Sequence, residues 1–355
     1  MKILVYCDSL SPSGGLERVV CSHINFFSRS HDVSVIVKDD GNSFYKLPLD
    51  IRIISFNNNI NFAKFTVLDK LVNSISSILK FNRVTKNSEF DYVYVPTPLN
   101  FIEVILANIR PSKIIITNHA SYNGYNKFYK LVIKFFYRFA KIIILPTKYD
   151  FDIYSRFSKT IKFIPYSKPF STNYLANPDA KIALCVGRLT LDKQHHLLID
   201  IWSEIAKFYP DWKLRIVGSG ELNDDLINTI QRHNLSSSVT IVKPTKNIMS
   251  EYFNASIFLL TSRFEGFGMV LIEAMECGLP CVSFDCPSGP PEIITNGLNG
   301  FLIRSFDLVA YSNKVKLLIQ DPELRNFMAI QAKSSASQYS EKVIFDHWEK
   351  LLSTL

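Results

Sequence analysis

Ser256–Asp285 reads SIFLLTSRFEGFGMVLIEAMECGLPCVSFD. The run SIFLLTS is a short, nearly unbroken apolar strand pattern. RFEGFG is a turn with two glycines. MVLIEAMECG has helical length and starts near Gly268, and PCVSFD is a second strand pattern. Strand, helix and strand in succession make a parallel crossover unit, because parallel neighbours need a long connection. Apolar runs without alternation belong to strands covered on both faces.

Outward from this unit the same alternation fills the chain. KILVYC (2–7), HDVSVIVKD (31–39), IRIISF (51–56), DYVYVP (91–96), KIIITNH (113–119), KIIILPT (141–147) and KFIP (162–165) form one series. KIALCVGRL (181–189), KLRIVGSG (213–220), SVTIVK (238–243) and the two strands above form a second. Between them lies SKPFSTNYLANPDAK (167–181), polar and twice broken by proline, which has linker character. The chain of 355 residues is long enough for two cores. The expected architecture is α/β: two facing, Rossmann-like, doubly wound parallel sheets with a cleft between them. The expected divisions are 1–170, 171–335, and 336–355 as a terminal helix returning towards the first domain. In that tail, Asp321-Pro322-Glu323 reads as a helix start. SEKVIFDHWEKLL places Val343, Ile344, His347, Trp348, Leu351 and Leu352 near one face.

Composition narrows the class. Apolar residues are 47% and charged residues 20%, which is globular. No window offers 18 uncharged apolar residues, and MKILVYCDSL reads as a first buried strand and not as a leader peptide. Six cysteines without a C-x-x-C pair suit free thiols in a reducing compartment. Cys277, Cys281 and Cys286 fit no zinc spacing, and no metal is expected. The net charge is +8, unevenly spread. Residues 1–175 hold 23 Lys and Arg against 12 Asp and Glu, giving +11, whereas residues 176–355 hold 17 against 20, giving −3. One half should therefore face an anionic surface. No nucleic-acid-binding motif accompanies the charge. NKFYKLVIKFFYRFAK (126–141) interleaves Lys127, Lys130, Lys134, Arg138 and Lys141 with aromatic and aliphatic residues, a pattern suited to an anionic membrane face. FAKFTVLDKLVNSISSILKFNR (62–83) is a weaker version. The resulting expectation is a cytoplasmic protein, peripheral on the inner face of the membrane.

Three strand ends carry ligand chemistry. Ser11–Gly15 ends in paired glycines, Gly14 and Gly15, which let backbone amides approach a ligand or merely form a turn. It is not the G-x-G-x-x-G of dinucleotide enzymes. In VGRLTLDKQHHLLIDIW (186–202), Arg188 and Lys193 flank a strand-to-helix junction and can converge on a diphosphate; a solvated basic loop is the plain alternative. His195 and His196 are expected on the helix surface. In the opening stretch the helix start offers amides to an anion. Glu265 lies in the turn. Glu273 lies in an apolar helix, where a carboxylate needs a partner: a ligand hydroxyl pair or a buried Arg. Asp150-Phe151-Asp152 mimics a metal-binding D-x-D, but its place at a helix start reads as capping.

Glu265 and Glu273, with seven residues between them in SRFEGFGMVLIEAMECGLPCVSFDCPSGPPEIITNGLNGFLI, closely resemble the mark of family 4 glycosyltransferases, retaining enzymes of the GT-B fold. VGRLTLDKQ, the Gly14-Gly15 turn and TNHA (117–120) support the resemblance, and FDCPSGPPEII looks like the bacterial enzymes of O-antigen, capsule and exopolysaccharide assembly. The resemblance implies an acceptor-binding first domain and a nucleotide-sugar-binding second one. It implies that Glu273 holds the donor ribose and that Arg188 and Lys193 bind the diphosphate. Glu265, with the backbone of Gly266, Phe267, Gly268 and Met269, would hold the donor sugar. His119 would lie near that sugar from the first domain, and the segment Pro244-Thr245-Lys246 would meet the base. It implies a nucleotide-sugar co-substrate, UDP-linked, with no further cofactor, and a lipid-linked saccharide as acceptor. Pro291 stands where many relatives have Arg, and IPYSKPF (164–170) replaces the usual Asn-bearing turn.

Overall fold

The computed structural model describes residues 1–58, 67–86 and 88–355. The chain forms two compact units, Met1–Ile164 and Pro165–Leu355. The polar stretch 167–181 groups with the second unit.

The first unit follows the expected alternation: β1 (Lys2–Cys7), α1 (Gly15–Phe27), β2 (Asp32–Val37), β3 (Arg52–Ser55), α2 (Val67–Thr85), β4 (Tyr92–Val95), α3 (Pro98–Leu106), β5 (Ile114–Thr117), α4 (Lys127–Phe136), β6 (Ile142–Leu145), α5 (Lys148–Tyr154) and β7 (Ile161–Phe163). Its seven strands lie in the order β3-β2-β1-β4-β5-β6-β7, all parallel. Ile114–Ile116 and Ile142–Leu145 are buried, as expected for strands covered on both faces. Local chemistry sets the helix starts. Thr97 caps α3 by accepting the Asn100 amide, with Pro98 in the first turn, where its missing N–H costs nothing. The basic segment 126–141 is not one helix, because α4 gives way to a 3-10 turn at Tyr137–Phe139. Of the weaker basic stretch 62–83, residues 62–66 lie outside the described residues.

The second unit contains β8 (Ile182–Val186), α6 (His195–Ala206), β9 (Lys213–Val217), α7 (Asn223–Arg232), β10 (Val239–Val242), α8 (Ile248–Phe253), β11 (Ile257–Leu260), α9 (Met269–Glu276), β12 (Cys281–Asp285), α10 (Pro290–Ile293), β13 (Gly300–Arg304), α11 (Leu308–Gln320), α12 (Pro322–Ala336) and α13 (Glu341–Leu352). The strand order is β10-β9-β8-β11-β12-β13, again all parallel. β13 was not foreseen. It pairs with β12 from Cys281↔Gly300 to Asp285↔Arg304, and a side chain at Gly300 would strike the Cys281 carbonyl at 2.2 Å. Asp321 caps α12 as expected, accepting the Leu324 amide at 2.9 Å. The buried face of α13 is Ile344, Phe345, Trp348, Leu351 and Leu352. Val343 and His347, expected on that face, are exposed, because the buried stripe is centred on the Ile344–Trp348–Leu351 line and takes in Phe345.

Candidate active site

In a doubly wound sheet the ligand crevice opens where adjacent strands send their following loops in opposite directions. In the second unit that point lies between β8 and β11. The loops after these strands are the two that carry Arg188, Lys193 and Glu265.

The β8 loop rests directly on the backbone of the β9 loop. The Gly187 amide donates to Val217 O and the Leu189 amide to Ser219 O. A Cβ at Gly218 would lie 1.9 Å from Gly187 O, and one at Gly220 would lie 2.3 Å from Leu189 O, so both positions exclude a side chain. Arg188 is exposed and has no ion-pair partner among the described residues. Beyond it a 3-10 turn, Leu191–Lys193, leads through Gln194, left-handed at φ 51°, into α6.

The β11 loop is stitched to that turn. Thr261 Oγ1 donates to the carbonyls of Lys193 and Gln194, and the Arg263 amide to Asp192 O. One carboxylate oxygen of Glu265 accepts from Lys193 Nζ at 2.5 Å and from Ser262 Oγ at 2.6 Å. The residues expected at the diphosphate and at the sugar are therefore ion-paired with each other. Gly268 (φ 93°) turns the chain into α9, whose first amides have no acceptor within the helix. Phe267 is buried between the rings of Tyr166 and Tyr339, at centroid distances of 5.2 and 5.7 Å. Glu273 is 3% exposed and accepts the Tyr252 hydroxyl at 2.9 Å. A tyrosine of α8 fills the place where a buried Arg was the alternative. The loop Pro244-Thr245-Lys246 follows β10 and precedes α8, with Pro244 and Lys246 exposed.

His195 corrects the surface expectation: it is 1% exposed. Burial, followed by the charges of Lys193 and His196, lowers its pKa to about 4, so it is neutral at pH 7. Its position could have been read from spacing, because His195, Leu198, Ile199 and Trp202 share one helix face, and all four are buried.

Two family models match in tandem: Glycosyltransferase Family 4 over residues 13–165 and Glycosyl transferases group 1 over residues 168–335. The chain belongs to family 4 of the glycosyltransferases. It is 29% identical to the amylovoran biosynthesis glycosyltransferase AmsD of Erwinia amylovora, over 99% of both chains. It is 28% identical, again over 99% of both, to the N-acetylgalactosamine-N,N'-diacetylbacillosaminyl-diphospho-undecaprenol 4-alpha-N-acetylgalactosaminyltransferase of Campylobacter jejuni. Among solved structures, Anabaena Alr3699/HepE in complex with UDP and glucose superimposes with a TM-score of 0.79 at 21% identity, covering all of both chains. The fold is GT-B, and the reaction class is glycosyl transfer from a nucleotide sugar.

The first unit of this glycosyltransferase holds the remaining candidates. Gly14 caps α1 and Gly15 begins it, neither with positive φ. A Cβ at Gly15 would meet nothing within 4 Å, so the fold itself does not demand glycine there. His119 follows β5, half-buried, with Nε2 2.8 Å from Thr117 Oγ1. Burial lowers its pKa to about 3. In the D-x-D look-alike, Thr147 is the cap of α5. Asp150 is the third helical residue, buried, and accepts from Thr147 Oγ1, Ser121 Oγ and the Tyr122 amide. Asp152 is exposed. All six cysteines are buried and unbridged, and burial raises Cys277 and Cys286 to about 12, so both stay protonated.

Proposed function

We propose that this chain is a retaining, metal-independent hexosyltransferase or N-acetylhexosaminyltransferase. It uses a UDP-sugar, and it extends a polyprenyl-diphosphate-linked saccharide or a similar precursor of a bacterial cell-surface polysaccharide. The observation that carries the reading is the ion pair of Lys193 with Glu265, which joins the loops after β8 and β11; Arg188 is exposed on the first of these loops, and α9, which bears the buried Glu273, follows the second. Arg188 and Lys193 bind the diphosphate and stabilise the charge that grows on it as the sugar leaves, the work a metal does in other transferases. Glu265 holds Lys193 in place, which preorganises the ammonium for the diphosphate. Glu265 and the backbone of Gly266–Met269 bind sugar hydroxyls, and Glu273 binds the ribose. Pro244 and Lys246 border the base, and Gly14, Gly15 and His119 complete the set from the first unit. The acceptor attacks on the face the diphosphate leaves, and the leaving phosphate takes its proton. The undecaprenyl-linked substrate for which the Campylobacter enzyme is named and the UDP and glucose bound by the Anabaena protein support the acceptor and donor classes. The segment 126–141 rests on the anionic inner leaflet, and the enzyme is peripheral. Among the described residues no helix is long and apolar enough to cross a membrane.

A screen of nucleotide sugars for nucleotide release, with a membrane lipid extract as acceptor, tests the proposal. Release with a UDP-sugar that depends on the extract is the expected result. Release with no dependence on any lipid would remove the acceptor class. Activity should persist in EDTA; loss restored by Mg²⁺ or Mn²⁺ would show that a metal supplies the charge.

A further inference from the structure

Two consecutive hydroxyl residues, Thr261 and Ser262, follow β11, and both are buried. Thr261 Oγ1 donates to the carbonyls of Lys193 and Gln194 at 3.1 and 3.2 Å, which fixes the backbone from which the Lys193 side chain reaches. Ser262 Oγ donates to Glu265 Oε1 at 2.6 Å, and Lys193 Nζ donates to the same oxygen at 2.5 Å. Gly289, at φ 92°, backs this turn. A Cβ there would lie 3.2 Å from Glu265 Cβ and 2.5 Å from Phe267 O, so the Glu265 stem is packed on that side by backbone.

Each oxygen of a carboxylate has two acceptor sites. Both sites of Glu265 Oε1 are taken, and Oε2 accepts nothing from the described residues. An ammonium has three N–H groups. Lys193 spends one on Oε1, and among the described residues nothing accepts the other two. Each partner of the ion pair therefore keeps capacity for a ligand. The last torsion of a glutamate is soft and roughly two-fold, so the ammonium alone would hold either oxygen equally well. The second donor, Ser262, breaks that equivalence.

We propose that Ser262 is a positioning residue. With Lys193 it saturates Oε1, fixes the plane of the carboxylate, and leaves Oε2 as the oxygen that receives a hydroxyl of the donor sugar. This rests on the reading of Lys193 at the diphosphate and Glu265 at the sugar. On that reading a single ion pair serves both sides of the bond that breaks, the ammonium on the phosphate side and Oε2 on the sugar side. Ser262 touches neither side and acts through Glu265 alone. Its loss lets the carboxylate turn about Lys193, so that the sugar and the ammonium compete for the same oxygens.

The test uses the full chain. Transfer is followed with radiolabelled UDP-glucose, UDP-galactose and their N-acetylhexosamine counterparts on a membrane lipid extract, and UDP affinity by calorimetry. Ser262→Ala should lower kcat about fivefold to tenfold, the weight of one hydrogen bond, with UDP affinity unchanged. Ser262→Thr, which keeps the hydroxyl, should restore transfer. In a Glu265→Ala background the loss of Ser262 should change transfer by less than about twofold, because residues that act through one another are not additive. Full transfer by Ser262→Ala, or an equal fall in both backgrounds, would overturn the proposal and leave the donor reading intact. A Glu265→Ala variant as active as the wild type would overturn both. Thermal melting verifies that each variant is folded, and Ser262→Cys, of similar shape with a weaker donor, stands in if Ser262→Ala is not.

Discussion

The two glutamates of the second unit should fail differently. Glu273 is buried on Tyr252 and is proposed to hold the ribose, so Glu273→Gln should weaken UDP itself. A charge-assisted hydrogen bond is worth about 1.5–3 kcal/mol. Glu265→Gln removes the partner of Lys193 and leaves that ammonium to the diphosphate alone. UDP affinity should be unchanged or tighter while transfer falls. Calorimetry with UDP checks the pair, and the reverse ordering would mean the roles are exchanged. Arg188→Ala and Lys193→Ala should each cost about a hundredfold in turnover by removing charge stabilisation at the leaving group; full activity in either would remove the diphosphate assignment. At this scale the sequence shows which side chains carry charge near strand ends, but not what they touch. The Lys193–Glu265 pair spans two loops, and Tyr252 reaches Glu273 from another helix. Such contacts depend on strand order, which local periodicity does not encode. His195 was legible, since its helical spacing matched three apolar neighbours.

Among the elements, the loop Glu265–Gly268 is held by more than its own turn. Phe267 lies between Tyr166, on the segment entering the second unit, and Tyr339, just before α13. The departure IPYSKPF thus supplies a ring to the loop, and its Lys168 donates at 2.5 Å to the buried Glu276 at the end of α9. Aromatic pairs of this kind contribute about 0.5–1.5 kcal/mol beyond burial. Tyr166→Ala should therefore loosen the loop: transfer should drop while UDP binding, proposed to depend on Glu273 and the β8 loop, is kept. An equal loss of both in isothermal titration and turnover assays would show a general folding defect instead. Most strands were legible because each is a buried aliphatic run between turn residues. β13 escaped because Gly300–Arg304 offers only three apolar residues between a glycine and an arginine. Its strand character comes from pairing with β12.

On the scale of the whole molecule, the two sheets could be read from alternation alone, and the charge asymmetry between the halves points outward to a partner. Between Glu103 and Asp150 the chain contains no acidic residue. Within that stretch, Phe128, Leu131, Phe135, Phe136 and Phe139 are each about half exposed or more. Val132 and Ile133 of the same helix are buried, and Tyr137 follows them into the core. Lys134 lies over the Phe135 ring and Arg138 over Phe139. Lys130 differs, being half-buried with its ammonium over the Tyr122 ring, so it is the wrong residue to change. Lys127, Lys134 and Arg138 are exposed. A cation near an anionic leaflet contributes about 1 kcal/mol, so these three give weak, reversible attachment that the exposed aromatics strengthen by burial in the interface. The protein should float with vesicles containing anionic lipid, remain behind with neutral ones, and be released by added salt. Changing Lys127, Lys134 and Arg138 together to Glu should abolish flotation and slow transfer to a lipid-linked acceptor, while transfer to a short soluble acceptor is spared. Flotation of the triple variant equal to that of the wild type would leave 126–141 as ordinary solvated surface, and the excess charge of this half would need another partner.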